Sequence, residues 1–198
     1  AGVSHDLRTP LTRMKLQISL MKDEKAKSEL EVDVNEMTSM LDSYVSFVKT
    51  ESPEPIETII INELIGDIVK TVEKNGVELT IKEKNTIQTS GRQIQLKRAF
   101  NNIIDNSQRY AKKIEIILYT NEKDCVIEFN DDGEGIPRDK YEDVFKPFFT
   151  LDPSRNKLKG ESGLGLTITR DIIRSHGGDV KLSDSNLGGL QLKVLLPL

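Results

Sequence analysis

The chain opens with two stretches in which apolar residues recur every three or four positions. In the first, Leu7, Leu11, Met14, Ile18 and Met21 alternate spacings of four and three, and Leu30, Val34, Met37, Leu41, Tyr44 and Val48 keep the same rhythm in the second. Such heptad seams are the sequence form of knobs-into-holes packing, so residues 1–50 are predicted to be two helices. The charged and polar run Lys22–Ser28 is predicted to be the turn between them. A lone hairpin cannot cover both seams. Two hairpins, one from each subunit, form a four-helix bundle, which predicts a homodimer.

Glu51-Ser-Pro-Glu-Pro55 ends this rhythm, since two prolines within three residues favour an extended linker, expected over 51–56. Beyond it the period changes. Ile59–Ile61 reads as a short buried strand, 62–73 as a helix and 77–82 as an alternating strand. Residues 93–110 read as a helix, and 114–120 and 126–131 as strands. A helix over Gly163–Ser175, stopped by Gly177-Gly178, precedes strands at 180–183 and 190–195. This mixture predicts an α/β sandwich over 57–198, a mixed sheet with helices on one face.

Composition sharpens the picture. Of 198 residues, 36% are hydrophobic and 30% charged, lean enough to suit a helical element that completes its core by oligomerising. A net charge of -4 and a pI near 5.4 argue against nucleic acid as a direct partner. An acidic protein that binds a polyanion must gather its basic residues locally. The lone cysteine, Cys125, excludes an internal disulfide and cysteine-rich metal sites, and its alternating surroundings suggest a buried strand residue. With His5 and His176 far apart, a histidine-based metal site is not expected. No apolar run approaches the roughly 20 residues of a membrane-spanning helix, and no signal peptide is visible. Because the sequence opens inside a motif, it is expected to be a fragment, with any membrane span upstream.

Several residues then suggest chemistry. His5 lies two positions before the seam residue Leu7, which at about 100° per residue turns it away from the buried stripe. Pro10 removes a backbone N–H and crowds the carbonyl of Asp6, so a kink is expected beside His5. A neutral imidazole can attack phosphorus with its free ring nitrogen, and Asp6 is placed to bond the other one. Asn102 and Asn106 share one helical face, where their amide oxygens suit a hydrated Mg2+, and Arg109 lies one turn further on, within reach of phosphate. In Asp131-Asp-Gly-Glu-Gly-Ile136, Gly133 and Gly135 allow close backbone approach, and a carboxylate at a strand end can accept from the exocyclic amine of adenine. Thr150–Ser162 holds Arg155, Lys157 and Lys159, a local positive cluster. Gly160-Glu-Ser-Gly-Leu-Gly-Leu166 opens a helix whose N–H groups suit phosphate. His176, at a helix end, is expected to cap it as an imidazolium favoured by the dipole.

Ser4-His-Asp-Leu-Arg-Thr-Pro-Leu11 resembles the phosphoacceptor box of bacterial sensor histidine kinases, and Ala1–Arg13 is especially similar to the EnvZ-like osmosensor subgroup. The resemblance implies that His5 takes the phosphoryl group, Asp6 acts as general base, and Thr9 positions water for a second, phosphatase activity. Residues 95–110 resemble the family's N box. There Asn102, Asn106 and Arg109 would meet Mg2+ and phosphates, and Tyr110 would lie beside the base or ribose. Asp131–Ile136 resembles the G1 box, with Asp131 selecting adenine. Phe145-Lys-Pro-Phe-Phe149 resembles the F box beneath a mobile lid, in which Arg155 is the lid arginine and Thr150 replaces a further arginine. Gly163-Leu164-Gly165 matches the G2 box, although Glu161 stands where the family usually has glycine.

By resemblance, then, the chain is a dimeric helical hairpin followed by a Bergerat-type α/β sandwich that binds ATP and Mg2+. The implied reaction phosphorylates His5 and passes the group to an aspartate of a response regulator, expected to be OmpR-like. The fragment is expected to be cytoplasmic, from a parent anchored in the inner membrane. The alternatives are a non-catalytic, dimeric nucleotide-binding scaffold and a stand-alone ATPase.

Overall fold

A computed structural model of the chain describes residues 2–48, 54–72, 76–151 and 163–198. Two compact units result, one carrying the helical hairpin and the other, Glu54–Phe145 with Gly165–Leu198, carrying the sheet.

The hairpin consists of α1 (Gly2–Ser19), which continues through Pro10, and α2 (Glu24–Val48). The turn is shorter and earlier than the predicted Lys22–Ser28. Asp23 is the reason. Its Oδ1 accepts from the N–H groups of Lys25 (3.0 Å) and Ala26 (3.1 Å), satisfying donors that a helix start leaves orphaned. The charged residues after it therefore enter the first turn of α2. Leu11, Ile18, Val34 and Leu41 form a buried cluster with Met21 packed against it. Among the remaining seam side chains that the structure describes, Met14, Leu30 and Met37 are exposed, at 43%, 41% and 50%. Among the described residues, the hairpin covers only part of its heptad pattern by itself.

In the second unit the order is β1 (Glu57–Ile60), α3 (Ile61–Val72), β2 (Glu78–Glu83), β3 (Gln88–Gly91), α4 (Gln93–Tyr110), β4 (Lys113–Thr120), β5 (Asp124–Asp131), α5 (Gly165–Ser175), β6 (Asp179–Asp184) and β7 (Leu190–Pro197). Five strands form one sheet in the order β2-β4-β5-β7-β6, parallel between β2 and β4 and antiparallel elsewhere. β1 and β3 pair in a separate antiparallel ribbon. The α/β sandwich with a mixed sheet is as predicted. Two details differ. Ile61 starts α3 rather than ending a strand, and its N–H bonds Ile87 O at 3.0 Å. β3 carries no run of alternating apolar residues. It is held by β1 and by the Thr89 hydroxyl, which donates to Pro197 O at 2.8 Å.

Alternation of side chains along a strand gives the sheet two different faces. Ile116, Leu118, Ile127, Phe129, Leu192 and Val194 are buried, and the Phe100 ring of α4 lies 6.0 Å from that of Phe129. Cys125 is also buried, and this burial pushes its thiol up from the ordinary value. The opposite face is polar. There Tyr119 donates to Glu128 (2.8 Å), Lys193 pairs with Glu128 (2.8 Å), and Lys82 pairs with Glu115 (2.5 Å).

Candidate functional site

β5 ends in two adjacent carboxylates that the local structure treats differently. Asp132, just past the strand, turns back to the α4–β4 connection, where its Oδ1 accepts from Lys112 N (2.7 Å) and Lys113 N (2.8 Å). The Lys113 bond above all holds its carboxyl below the usual range. Asp131, on the inner face, is 4% exposed. Its Oδ1 accepts from Gly133 N (3.0 Å) and Leu190 N (2.9 Å), and its Oδ2 from the Ser107 hydroxyl (3.2 Å). Its carbonyl takes Gly189 N at 3.1 Å.

The backbone around Asp131 is packed as only glycines permit. A Cβ on Gly189 would lie 2.3 Å from Asp131 Oδ1 and 2.4 Å from Gly133 N. One on Gly133 would lie 3.0 Å from the carbonyl oxygen of Tyr110. Gly135 has φ +69, the left-handed region glycine favours.

α4 brings the other sequence-predicted residues to this end of the unit. Asn102 is half-buried, and its amide nitrogen donates to Gly165 O at 3.3 Å, leaving Oδ1 as an oxygen donor. Asn106 follows one turn later, also half-buried, then Arg109 and Tyr110, both exposed in the last turn. Two amide oxygens are the hard donors that Mg2+ accepts while keeping several waters. Among the described residues no group of three or more His, Cys, Asp and Glu side chains could hold a metal ion.

Gly165 is the first residue of α5, with Leu164 buried before it. Gly163 has φ +63, its Cβ would lie 2.8 Å from Phe148 C, and its carbonyl accepts from Phe148 N at 3.1 Å. Phe148 is itself left-handed at φ +64. Phe145 is buried with the Arg170 guanidinium 4.5 Å above its ring. On α1, Thr9 is exposed, and the side chains of His5 and Asp6 lie outside the described residues, as do Arg155, Lys157, Lys159 and Glu161.

His176 corrects an expectation. Its Nε2 lies 3.0 Å from Arg92 N, so that nitrogen must accept, and Nδ1, 2.7 Å from Ile172 O, must donate. The ring therefore caps α5 in its neutral form, not as an imidazolium, and joins α5 to the start of α4. Sequence reasoning also missed Ser107 and Gly189. Ser107 interrupts the apolar stripe Leu96, Ala99, Phe100, Ile103 and Ile104, a signal in itself. The Gly188-Gly189 pair between two strands was the signal for the second.

Both parts of the chain are similar to known families. Residues 91–198 match the family described as "Histidine kinase-, DNA gyrase B-, and HSP90-like ATPase", and residues 1–52 match the "His Kinase A (phospho-acceptor) domain". The chain belongs to the sensor histidine kinases. It is 32% identical over its whole length to sensor histidine kinase GtrS of Pseudomonas aeruginosa, covering 41% of that protein. It is also 32% identical, again over its whole length, to sensor histidine kinase CpxA of Escherichia coli K12, covering 46% of it. The chain thus spans less than half of these curated relatives. The solved structure of Acinetobacter baumannii histidine kinase AdeS shares the fold, with a TM-score of 0.64 at 19% identity over 98% of this chain and 97% of that one. The ATPase family brings ATP binding with it, and among described residues no helix is long and apolar enough to cross a membrane.

Proposed function

We propose that this sensor histidine kinase core binds ATP with Mg2+ in the second unit and transfers the γ-phosphoryl group to His5. The observation that carries this reading is the Asp131 carboxylate, buried among glycines and held by three donors with acceptor capacity to spare. Asp131 receives the adenine amine, Gly133 and Gly135 admit the base, and Tyr110 lies beside it. Asn102 and Asn106 hold the cation through their amide oxygens, which supports charge neutralisation at the phosphates. Arg109, the backbone of Gly163-Leu164-Gly165 and Arg155 complete the phosphate contacts.

In the transfer, a ring nitrogen of His5 attacks the γ-phosphorus as the bond to the departing diphosphate oxygen breaks. Asp6 bonds the other ring nitrogen and takes its proton. A response-regulator aspartate, in a partner of the OmpR type, then accepts the group from the phosphoramidate. Thr9 positions the water that, in the phosphatase step, attacks the regulator's phospho-aspartate and releases inorganic phosphate. The division into residues 1–50, 51–56 and 57–198, the EnvZ-like subgroup, the homodimer and a cytoplasmic core belonging to a parent anchored in the inner membrane are parts of the same reading. The outward-facing Met14, Leu30 and Met37 support the dimer.

Incubation with γ-labelled ATP and Mg2+ tests it. The expected result is acid-labile, base-stable label on the chain that disappears in His5→Gln. An ATP-binding dimer that never takes label would instead be a nucleotide-binding scaffold. Phosphate release without labelled protein, unchanged in His5→Gln, would make it a plain ATPase.

A further inference from the structure

We infer that Ser107 is a positioning residue that sets the base selectivity of the nucleotide site, by holding the Asp131 carboxylate with one acceptor position left open. This rests on the reading of Asp131 as the group that meets the base amine. Ser107 occupies the inward stripe of α4, following Leu96, Ala99, Phe100, Ile103 and Ile104, and is buried like them. A hydroxyl in such a stripe is costly unless bonded, and alanine would serve packing equally well. Nor is the side chain needed to finish the helix, because the Ser107 carbonyl takes Ala111 N at 2.9 Å by itself. The hydroxyl's bond is to Asp131 Oδ2, 24 residues away in sequence.

An ionised carboxylate offers about four lone-pair positions, two on each oxygen. Both on Oδ1 are used, by Gly133 N and Leu190 N. Ser107 takes one on Oδ2, which leaves one. Three donors from three segments also stop the carboxylate from rotating. A base presenting an amine N–H fills the last position, whereas one presenting a carbonyl oxygen there sets lone pair against lone pair. Without Ser107 the carboxylate is fixed along one edge only. The remaining bond to the amine then loses its direction, and a buried acceptor goes unpaired.

The test compares the affinity of the whole chain for ATP and for inosine triphosphate, which has the same phosphates but a carbonyl oxygen in place of the amine. The parent should prefer ATP. Ser107→Ala should bind ATP about tenfold more weakly and inosine triphosphate within about twofold of the parent, so that discrimination narrows. Ser107→Thr, which keeps the hydroxyl, should keep the ratio. Ser107→Cys, close in volume but a weak donor, should fall between them and reads the same ratio if the alanine variant does not fold. A Ser107→Ala protein that weakens both nucleotides alike, or keeps the parent ratio, overturns the inference in favour of a purely structural serine. Asp131→Asn separates the two levels. If it leaves the ratio unchanged, the adenine reading of the site falls and the Ser107 role with it. If it abolishes the ratio while Ser107→Ala does not, only the role of Ser107 falls.

Discussion

Asp131 and Asp132 are chemically identical neighbours, and their places at the end of β5 and just past it separate their tasks. Asp131 points into the unit, while Asp132 closes the helix–strand connection behind it. The motif Asp-Asp-Gly-Glu-Gly was legible in the sequence, and so was the choice of its first carboxylate. What holds that carboxylate was not, because Ser107 and Leu190 come from distant segments. Glycines in the neighbourhood also divide by function. Gly188 has φ +102 and open space, nothing within 4 Å, where a Cβ would stand, whereas the same atom on Gly189 would collide with Asp131 Oδ1 at 2.3 Å. Gly188→Ala should therefore cost only backbone strain, about 1–2 kcal/mol of stability, and keep ATP affinity. Gly189→Ala should displace the carboxylate and lower ATP affinity by at least about tenfold. Thermal melts and ATP titrations of both variants would show the split, and a Gly189→Ala protein with parental affinity would contradict it.

At the scale of elements, α4 is legible from its periodicity with both of its ends, but the groups that finish its N-terminus are not. Its N-terminus is finished by the Glu54 carboxylate, which accepts from Ile94 N (2.5 Å) and Gln95 N (3.3 Å), and by His176 on Arg92 N. These partners are 40 and 84 residues away, beyond any local signal. The expected linker thus has Glu54 tied to the helix that carries Asn102 and Asn106. β3 escaped notice for a similar reason, being held by β1 and the Pro197 carbonyl rather than by apolar residues of its own. At the other end of α4, Asp132 makes the connection sensitive to acid. Its carboxyl is held below 3.8 by the Lys113 and then the Lys112 N–H groups. A depressed native value means the stabilisation is complete above the unfolded value and disappears as pH falls through the native one. Asp132→Ala should accordingly be less stable than the parent near neutral pH, with the gap closing below about pH 4. Denaturant titrations across that range would reveal it, and a gap independent of pH would rule it out.

Across the whole molecule, the change of hydrophobic period near residue 51 made both architectures readable, a heptad hairpin and an α/β sandwich. The heptad pattern alone did not say which seam residues the hairpin would cover. Met37 is exposed, apart from the Leu11, Ile18, Val34 and Leu41 cluster. Burying a methionine contributes about 1.5–3 kcal/mol, and two-fold symmetry counts it twice, so Met37→Glu should weaken the dimer by at least about a hundredfold. Sedimentation should show monomers whose helical content is unchanged, and an undiminished dimer would place the interface elsewhere. The position of β7 has a consequence of another kind. It lies between β5 and β6 and supplies the Leu190 N–H to Asp131, yet it is the last strand along the chain. A ribosome makes Leu190 59 residues after Asp131, a delay of roughly 3–12 s at ordinary elongation rates. Through that interval β5 has an open edge and its terminal carboxylate lacks a donor. Competence to hold nucleotide is among the last properties this unit acquires as it is synthesised.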